Sequence, residues 1–182
     1  MPGFFVSNKK IDTELHNIYP NLCVSQSLDS EGMTVRRNTL NKFMKDKAFA
    51  DTDAAIVVAD GYILNKLSLF EQYGVDNVES LFVKMYQEKG DEFFADLRGG
   101  FSGVFYDKKS DKWLIFTNHV GDSAVYYVKT EDCFIAGSQV NYVLDACRKD
   151  GVNLTFDEQA AYQMITHAFM VDDSTYANEI KR

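Results

Sequence analysis

Residues 97–144, LRGGFSGVFYDKKSDKWLIFTNHVGDSAVYYVKTEDCFIAGSQVNYVL, carry the reading on which the fold turns. Apolar and polar residues alternate through three strand-like runs, the period of a strand with one buried face. Two clusters of turn-forming residues separate them, Asp107-Lys108-Lys109-Ser110-Asp111 and Lys129-Thr130-Glu131-Asp132. Three hairpin-linked strands are expected here.

Upstream, Ala54–Ala59 is a continuous apolar run ending at Asp60-Gly61, the pattern of a strand buried on both faces. Shorter strands are expected at Phe4–Val6, Leu22–Val24 and Met33–Val35, the last two flanking a turn at Asp29–Gly32. Arg37–Ala48 mixes apolar and basic residues loosely and reads as a short helix or an irregular crossing. Leu64–Gln72 reads as a short helix stopped near Gly74. Val78–Glu88 is the clearest helix, with Leu81, Phe82, Met85 and Tyr86 at helical spacing. Asp76 and Glu79 have the spacing of a capping box at its start. Further helices are expected at Asp91–Leu97, Val140–Lys149 and Asp157–Ala168.

The composition narrows the function. With 46% hydrophobic and 14% aromatic residues in 182, one full-sized domain, or one and a small appendage, with a real core is expected, not a disordered chain. A net charge of −8 speaks against binding a phosphate backbone, which needs clustered Lys and Arg. No apolar run is long enough for a membrane span and no secretory leader is visible, so a soluble cytoplasmic chain is expected. Cys23, Cys133 and Cys147 are odd in number and spaced for neither a disulfide framework nor zinc. Reduced, partly buried thiols are expected, with no metal.

The motifs L-R-G-G-F, F-Y-D, N-H-x-G-D and Y-Y, in this order, resemble those of the class II glutamine amidotransferase domain of asparagine synthetases. Arg98, Gly99, Phe101, Tyr106, Asp107, Gly121, Tyr126, Tyr127 and Ser138 fall on that pattern in register. The resemblance implies an α+β fold, a four-layer αββα sandwich of the N-terminal nucleophile hydrolase type. It covers 1–182 as a single domain and implies the N-terminal part of a longer asparagine synthetase-like protein. The tail Thr175–Arg182 resembles the segment leading into the ATP-using synthetase domain. That domain's pyrophosphate-binding S-G-G-x-D-S loop is not in the chain.

In such domains, removal of Met1 exposes a cysteine whose thiol attacks the side-chain amide of glutamine, with the chain's own amine as base. Here that position is Pro2, followed by Gly3-Phe4-Phe5, which keeps the shape of the family's first strand. The family's N-G-E-I-Y-N motif, which supplies oxyanion donors, falls on Asp60-Gly61-Tyr62-Ile63-Leu64-Asn65. A carboxylate at Asp60 would stand where negative charge develops. The arginine that grips the substrate carboxylate aligns with Gln26, although Arg36 or Arg37 could reach the site instead. The aspartate that binds the substrate ammonium falls on Asn77 or Val78. His119 replaces a family arginine and reads as structural.

Nucleophile, oxyanion donor and both substrate clamps have thus changed together. The resemblance then implies a structural or regulatory amidotransferase-like module without glutaminase activity or cofactor. Its expected partner is an ATP-using synthetase domain, in cis or as a separate chain, with a homodimer also open. If Pro2 does not stand in the natural chain, the domain is instead an active, ammonia-supplying glutamine hydrolase. A third reading is a stand-alone module that binds a metabolite in the emptied glutamine pocket.

Overall fold

Nine strands and four α-helices are assigned among the residues described by the computed structural model, 2–15, 19–30 and 32–182. The strands are β1 Gly3–Ser7, β2 Cys23–Leu28, β3 Thr34–Leu40, β4 Ala48–Asp51, β5 Ala55–Ile63, β6 Gly99–Asp107, β7 Lys112–Thr117, β8 Tyr126–Lys129 and β9 Phe134–Gly137. The helices are α1 Lys66–Tyr73, α2 Val78–Lys89, α3 Val140–Lys149 and α4 Glu158–His167. Short 3-10 turns occupy Met44–Asp46 and Gly90–Asp96.

The apolar run read from the sequence is β5, and its two faces explain the layering. Ala55, Val57, Ala59 and Ile63 pack under α1 and α2, with Leu69, Leu81, Phe82 and Met85. Ile56 and Val58 point the other way, against Phe4 and Val6 of β1 and Val35 of β3. Both faces are apolar because both are covered. One antiparallel sheet has the order β4-β5-β6-β7 and the other β2-β3-β1-β9-β8. Phe5 and Ile135 lie on the far side of the second sheet, under Val143, Ala146 and Cys147 of α3. Helices, two face-to-face sheets and a further helix give the expected four-layer α+β sandwich.

Four local expectations need correction. The second of the three runs is not one strand: after Thr117 the chain leaves the first sheet, and β8 joins the second. Residues 118–125, NHVGDSAV, break the alternation, and Asn118 with Gly121-Asp122-Ser123 is the turn-forming cluster that marks the crossing. Arg37–Ala48 is neither helix nor irregular throughout, since β3 runs to Leu40 before the 3-10 turn. Asn77, not Asp76, caps α2 by accepting from the Ser80 N–H at 2.8 Å, while Glu79 turns toward the Phe49 N–H. The helix expected at Asp91–Leu97 is a 3-10 turn. Of the turn expected at Asp29–Gly32, Glu31 lies outside the described residues, as does Met1. Among the described residues no helix is long and apolar enough to cross a membrane.

Several turns are closed by carboxylates. Asp107 accepts from the Ser110 hydroxyl at 2.6 Å, the Lys109 N–H at 2.9 Å and the Tyr86 hydroxyl at 3.1 Å, which together hold it below the usual carboxylate range. Lys9 does the same for Asp150, and the Thr155 hydroxyl and N–H do so for Glu179. A carboxylate acidified by folding binds fewer protons than its unfolded counterpart, so stability falls as pH falls through the acid range. The melting temperature should therefore hold level from pH 7 to about 5 and drop below about pH 4. Asp107→Asn should flatten that drop and lower the melting temperature at pH 7. A melting temperature unchanged down to pH 3 would refute this account.

Candidate functional site

The polar residues singled out near the first strand meet at one end of the inter-sheet space. β1 is antiparallel to β3, with Phe4 opposite Arg37 and Gly3 opposite Asn38. β2 lies on the other side of β3, with Gln26 opposite Arg37. Period-two alternation places Phe4, Arg37 and Gln26 on the face toward the first sheet. Arg37 is buried there and bridges the layers. Its guanidinium donates to the carbonyls of Ala48 at 2.7 Å and Ala59 at 2.9 Å, and twice to Gln26 Oε1. It also lies 5.0 Å from the Phe49 ring centre. Burial pushes its pKa down to about 10, opposed by Asp60 and Glu79, so it stays cationic at neutral pH.

Two residues beyond Arg37, Thr39 ties the sheets together a second time. Its hydroxyl lies 2.9 and 2.8 Å from the two carboxylate oxygens of Asp60, on β5. Lys47 reaches the same pair, donating to Thr39 Oγ1 at 2.6 Å and the Leu40 carbonyl at 2.9 Å, and lying 3.0 Å from Asp60 Oδ1. These three partners match the three ammonium hydrogens. The Lys47 side chain is 6% exposed and that of Asp60 is 21% exposed. Neither Lys47 nor Thr39 was singled out in the sequence, where Lys47 sits in an unremarkable basic stretch.

The third partner of Asp60 matters most for chemistry. The backbone N–H of Gly61 donates to Asp60 Oδ1 at 2.8 Å. This is the donor that the resemblance assigns to an oxyanion, and it is occupied by the neighbouring carboxylate. Glycine is required at position 61: φ is +124° and a Cβ would fall on the Gly100 carbonyl oxygen of the paired strand β6.

Pro2 is half-buried at the start of β1. Ser138 anchors this end: its hydroxyl accepts from the Phe4 N–H at 2.9 Å and its N–H donates to the Phe4 carbonyl at 3.1 Å. One further step along the β1–β3 register runs from Gly3 and Asn38 toward Pro2 and Thr39, so the chain start is directed at the Thr39–Asp60 group.

Other residues singled out in the sequence stand elsewhere. Asn77 is exposed at the start of α2, which covers the opposite face of the β5 sheet, and its amide donates to Asp76. Val78 is buried in that outer core. Arg36 faces away from Arg37 and pairs with Asp29 at 2.8 Å. His119 lies in an exposed turn, with Nε2 2.9 Å from the Arg98 guanidinium. Cys23, Cys133 and Cys147 are free and buried, and burial pushes the last two up to about 11 and about 12. Thiols held neutral in this way are poor nucleophiles.

The Lys47–Asp60 contact makes a testable contribution to stability. Removing one partner of a buried ion pair leaves the other uncompensated, at roughly 3–5 kcal/mol when burial is complete. Asp60 keeps some solvent contact, so Lys47→Met should cost only about 2 kcal/mol. Adding Asp60→Asn should recover more than half of that loss in urea unfolding. Additive losses in the double variant would rule out the coupling.

A family model described as a glutamine amidotransferase domain matches residues 41–145. Asparagine synthetase B [glutamine-hydrolyzing] of Escherichia coli (strain K12) is 30% identical over 102 aligned residues, in a match that covers 51% of this chain and 18% of that protein. The match thus spans less than a fifth of the relative's length. Among solved structures, glutamine phosphoribosylpyrophosphate amidotransferase from B. subtilis, complexed with ADP and GMP, is similar at a TM-score of 0.47 and 8% identity. That match covers 82% of this chain and 37% of the other.

Proposed function

Because this chain belongs to the glutamine amidotransferase domain family, we propose that it is a member without glutaminase activity. It serves as a structural or regulatory module beside an ATP-using synthetase unit in an asparagine synthetase-like, amide-forming system. The observation that carries this reading is the Gly61 N–H closed onto the Asp60 carboxylate, itself held by Thr39 and Lys47.

Glutamine hydrolysis by this family's route needs a nucleophile at the chain start and donors for the oxyanion that forms when it attacks the amide carbon. Pro2 has no nucleophilic side chain. At the donor position a carboxylate oxygen already accepts the available N–H, and its charge opposes a second anion. Lys47 offsets part of that charge, but its three hydrogens all have partners. Arg37, the cation that could grip a substrate carboxylate, directs four of its five N–H groups at Gln26 and two carbonyls. The alternative of an active hydrolase with cysteine at position 2 is disfavoured by the same geometry, since Asp60 would still occupy the donor.

The partner assignment rests on the relative, of which more than four fifths lies outside the match. The test is release of glutamate from glutamine by the intact chain, with mass spectrometry fixing its first residue. No release is expected at any glutamine concentration. Saturable release, abolished by no change at position 2, would overturn the proposal and direct attention to another nucleophile.

A further inference from the structure

The sandwich is closed by α2 and α3 on its outer faces but open along one side. There the last strands of the two sheets, β7 and β8, diverge around a cleft of about 920 Å³. That volume lies in the range of ligand-binding clefts. Its floor is the edge of the inter-sheet core, where Trp113, Ile115 and Tyr127 are half-exposed over buried Val125 and Phe134. One wall is β7, which among the described residues pairs only with β6 and so presents an edge of backbone donors and acceptors. The other wall is β8, whose edge is already paired at one point, where Tyr127 and Lys181 exchange two backbone bonds of 2.8 Å. The cleft is acidic at its rim, with Asp111, Glu131, Asp172 and Asp173 against Lys129 and Arg182. The remaining cation, Lys112, is tied to Asp91 at 2.5 Å.

We propose that this cleft is a binding site for an extended peptide segment that alternates apolar and basic residues, added as a strand to the free edge of β7. β7 is six residues long, about 20 Å, so it can pair with a segment of similar length. Alternate side chains of such a segment point inward and outward. The set pointing into the cleft is basic, its charged heads meeting the carboxylates and its stems lying over Trp113 and Tyr127. The other set is apolar and lies beside half-buried Leu114 and Phe94 on the helical side of β7, so apolar–basic alternation satisfies both. A free edge over exposed core is otherwise an aggregation hazard, which a bound strand removes. The site is separate from the Asp60 group and does not depend on the glutaminase reading.

Trp113 is the sole tryptophan of the chain, so its emission reports on the cleft directly. The experiment titrates the intact chain with a capped hexapeptide alternating lysine and valine. The controls are a glutamate–valine hexapeptide and a lysine–proline hexapeptide that cannot pair with an edge. A saturable blue shift is expected with the first, with at least ten-fold weaker binding of both controls. The exposed triple variant Glu131→Gln, Asp172→Asn, Asp173→Asn should weaken the lysine–valine peptide about five-fold and leave the melting temperature within 2 °C. No shift, or equal binding of the lysine–proline peptide, would overturn the proposal, the latter reducing it to simple charge attraction. An emission that moves with protein concentration alone would also overturn it, in favour of a second copy of this chain in the cleft.

Discussion

Pro2→Cys alone should yield no measurable glutaminase, whereas Pro2→Cys together with Asp60→Asn should. A thiol at position 2 supplies the attacking atom once Met1 is removed, which intact mass must confirm. With Asp60 in place, however, the forming oxyanion meets a carboxylate, and the Gly61 N–H is already bonded to it. Asparagine at position 60 keeps an acceptor for Lys47 and Thr39 while offering an N–H toward the forming oxyanion. Loss of one oxyanion donor lowers turnover by roughly 10²–10³-fold, and a like charge adds to that. The double variant should therefore exceed Pro2→Cys by at least about 100-fold. Its KM should remain high, because Arg37 is engaged with Gln26 and the carbonyls of Ala48 and Ala59. Equal rates from the two variants would show that Asp60 is not the obstacle.

The largest loss of stability is expected from Phe93→Ala. Phe93 is fully buried in the 3-10 turn between α2 and β6. Its ring centre lies 5.3 Å from Phe116, 5.4 Å from Phe105, 5.6 Å from Phe82, 5.8 Å from Phe94 and 6.1 Å from Tyr86. Those rings belong to β6, β7, α2 and the turn itself, so one side chain joins the helical layer to its sheet. Deleting it removes the transfer free energy of the ring and leaves a cavity that rigid aromatic neighbours cannot fill, about 4 kcal/mol in all. For a chain of this size that lowers the melting temperature by roughly 8–16 °C. Tyr162→Ala on the exposed face of α4 is the control, within about 0.5 kcal/mol of the parent. A loss below 1.5 kcal/mol from Phe93→Ala would mean that the cluster packs loosely.

What the sequence revealed, and what it hid, follows from the range of the forces involved. β5 and α2 were legible because their apolar spacing records which faces are covered, a local property. β3 was legible only at its start, Met33–Val35, because Arg37 is a charge on a buried face and breaks the alternation that announces a strand. Its burial is compensated by carbonyls of β4 and β5, which no window around residue 37 contains. Lys47 is the same case: its partners are Thr39, Leu40 and Asp60, and only the folded chain brings Asp60 to it. The sandwich itself came from the motifs and not from periodicity, since alternating strands suit many β architectures. Pro2, Gln26, Asp60 and Gly61 were found by position within those motifs. That Gln26 acts through Arg37, and that Asp60 closes on Gly61, are facts of geometry that spacing does not encode.

The place of β1 also has a consequence for how the chain is made. It lies at the centre of its sheet, between β3, which follows within the first 40 residues, and β9, which starts at Phe134. During vectorial synthesis one side of β1 can zip to β3 early. Its other side must wait for about a hundred further residues, on the order of 10 s at ribosomal speed. For that interval Phe4, Phe5 and Val6 form an unfinished edge, and they are among the last residues of this domain to be fully enclosed.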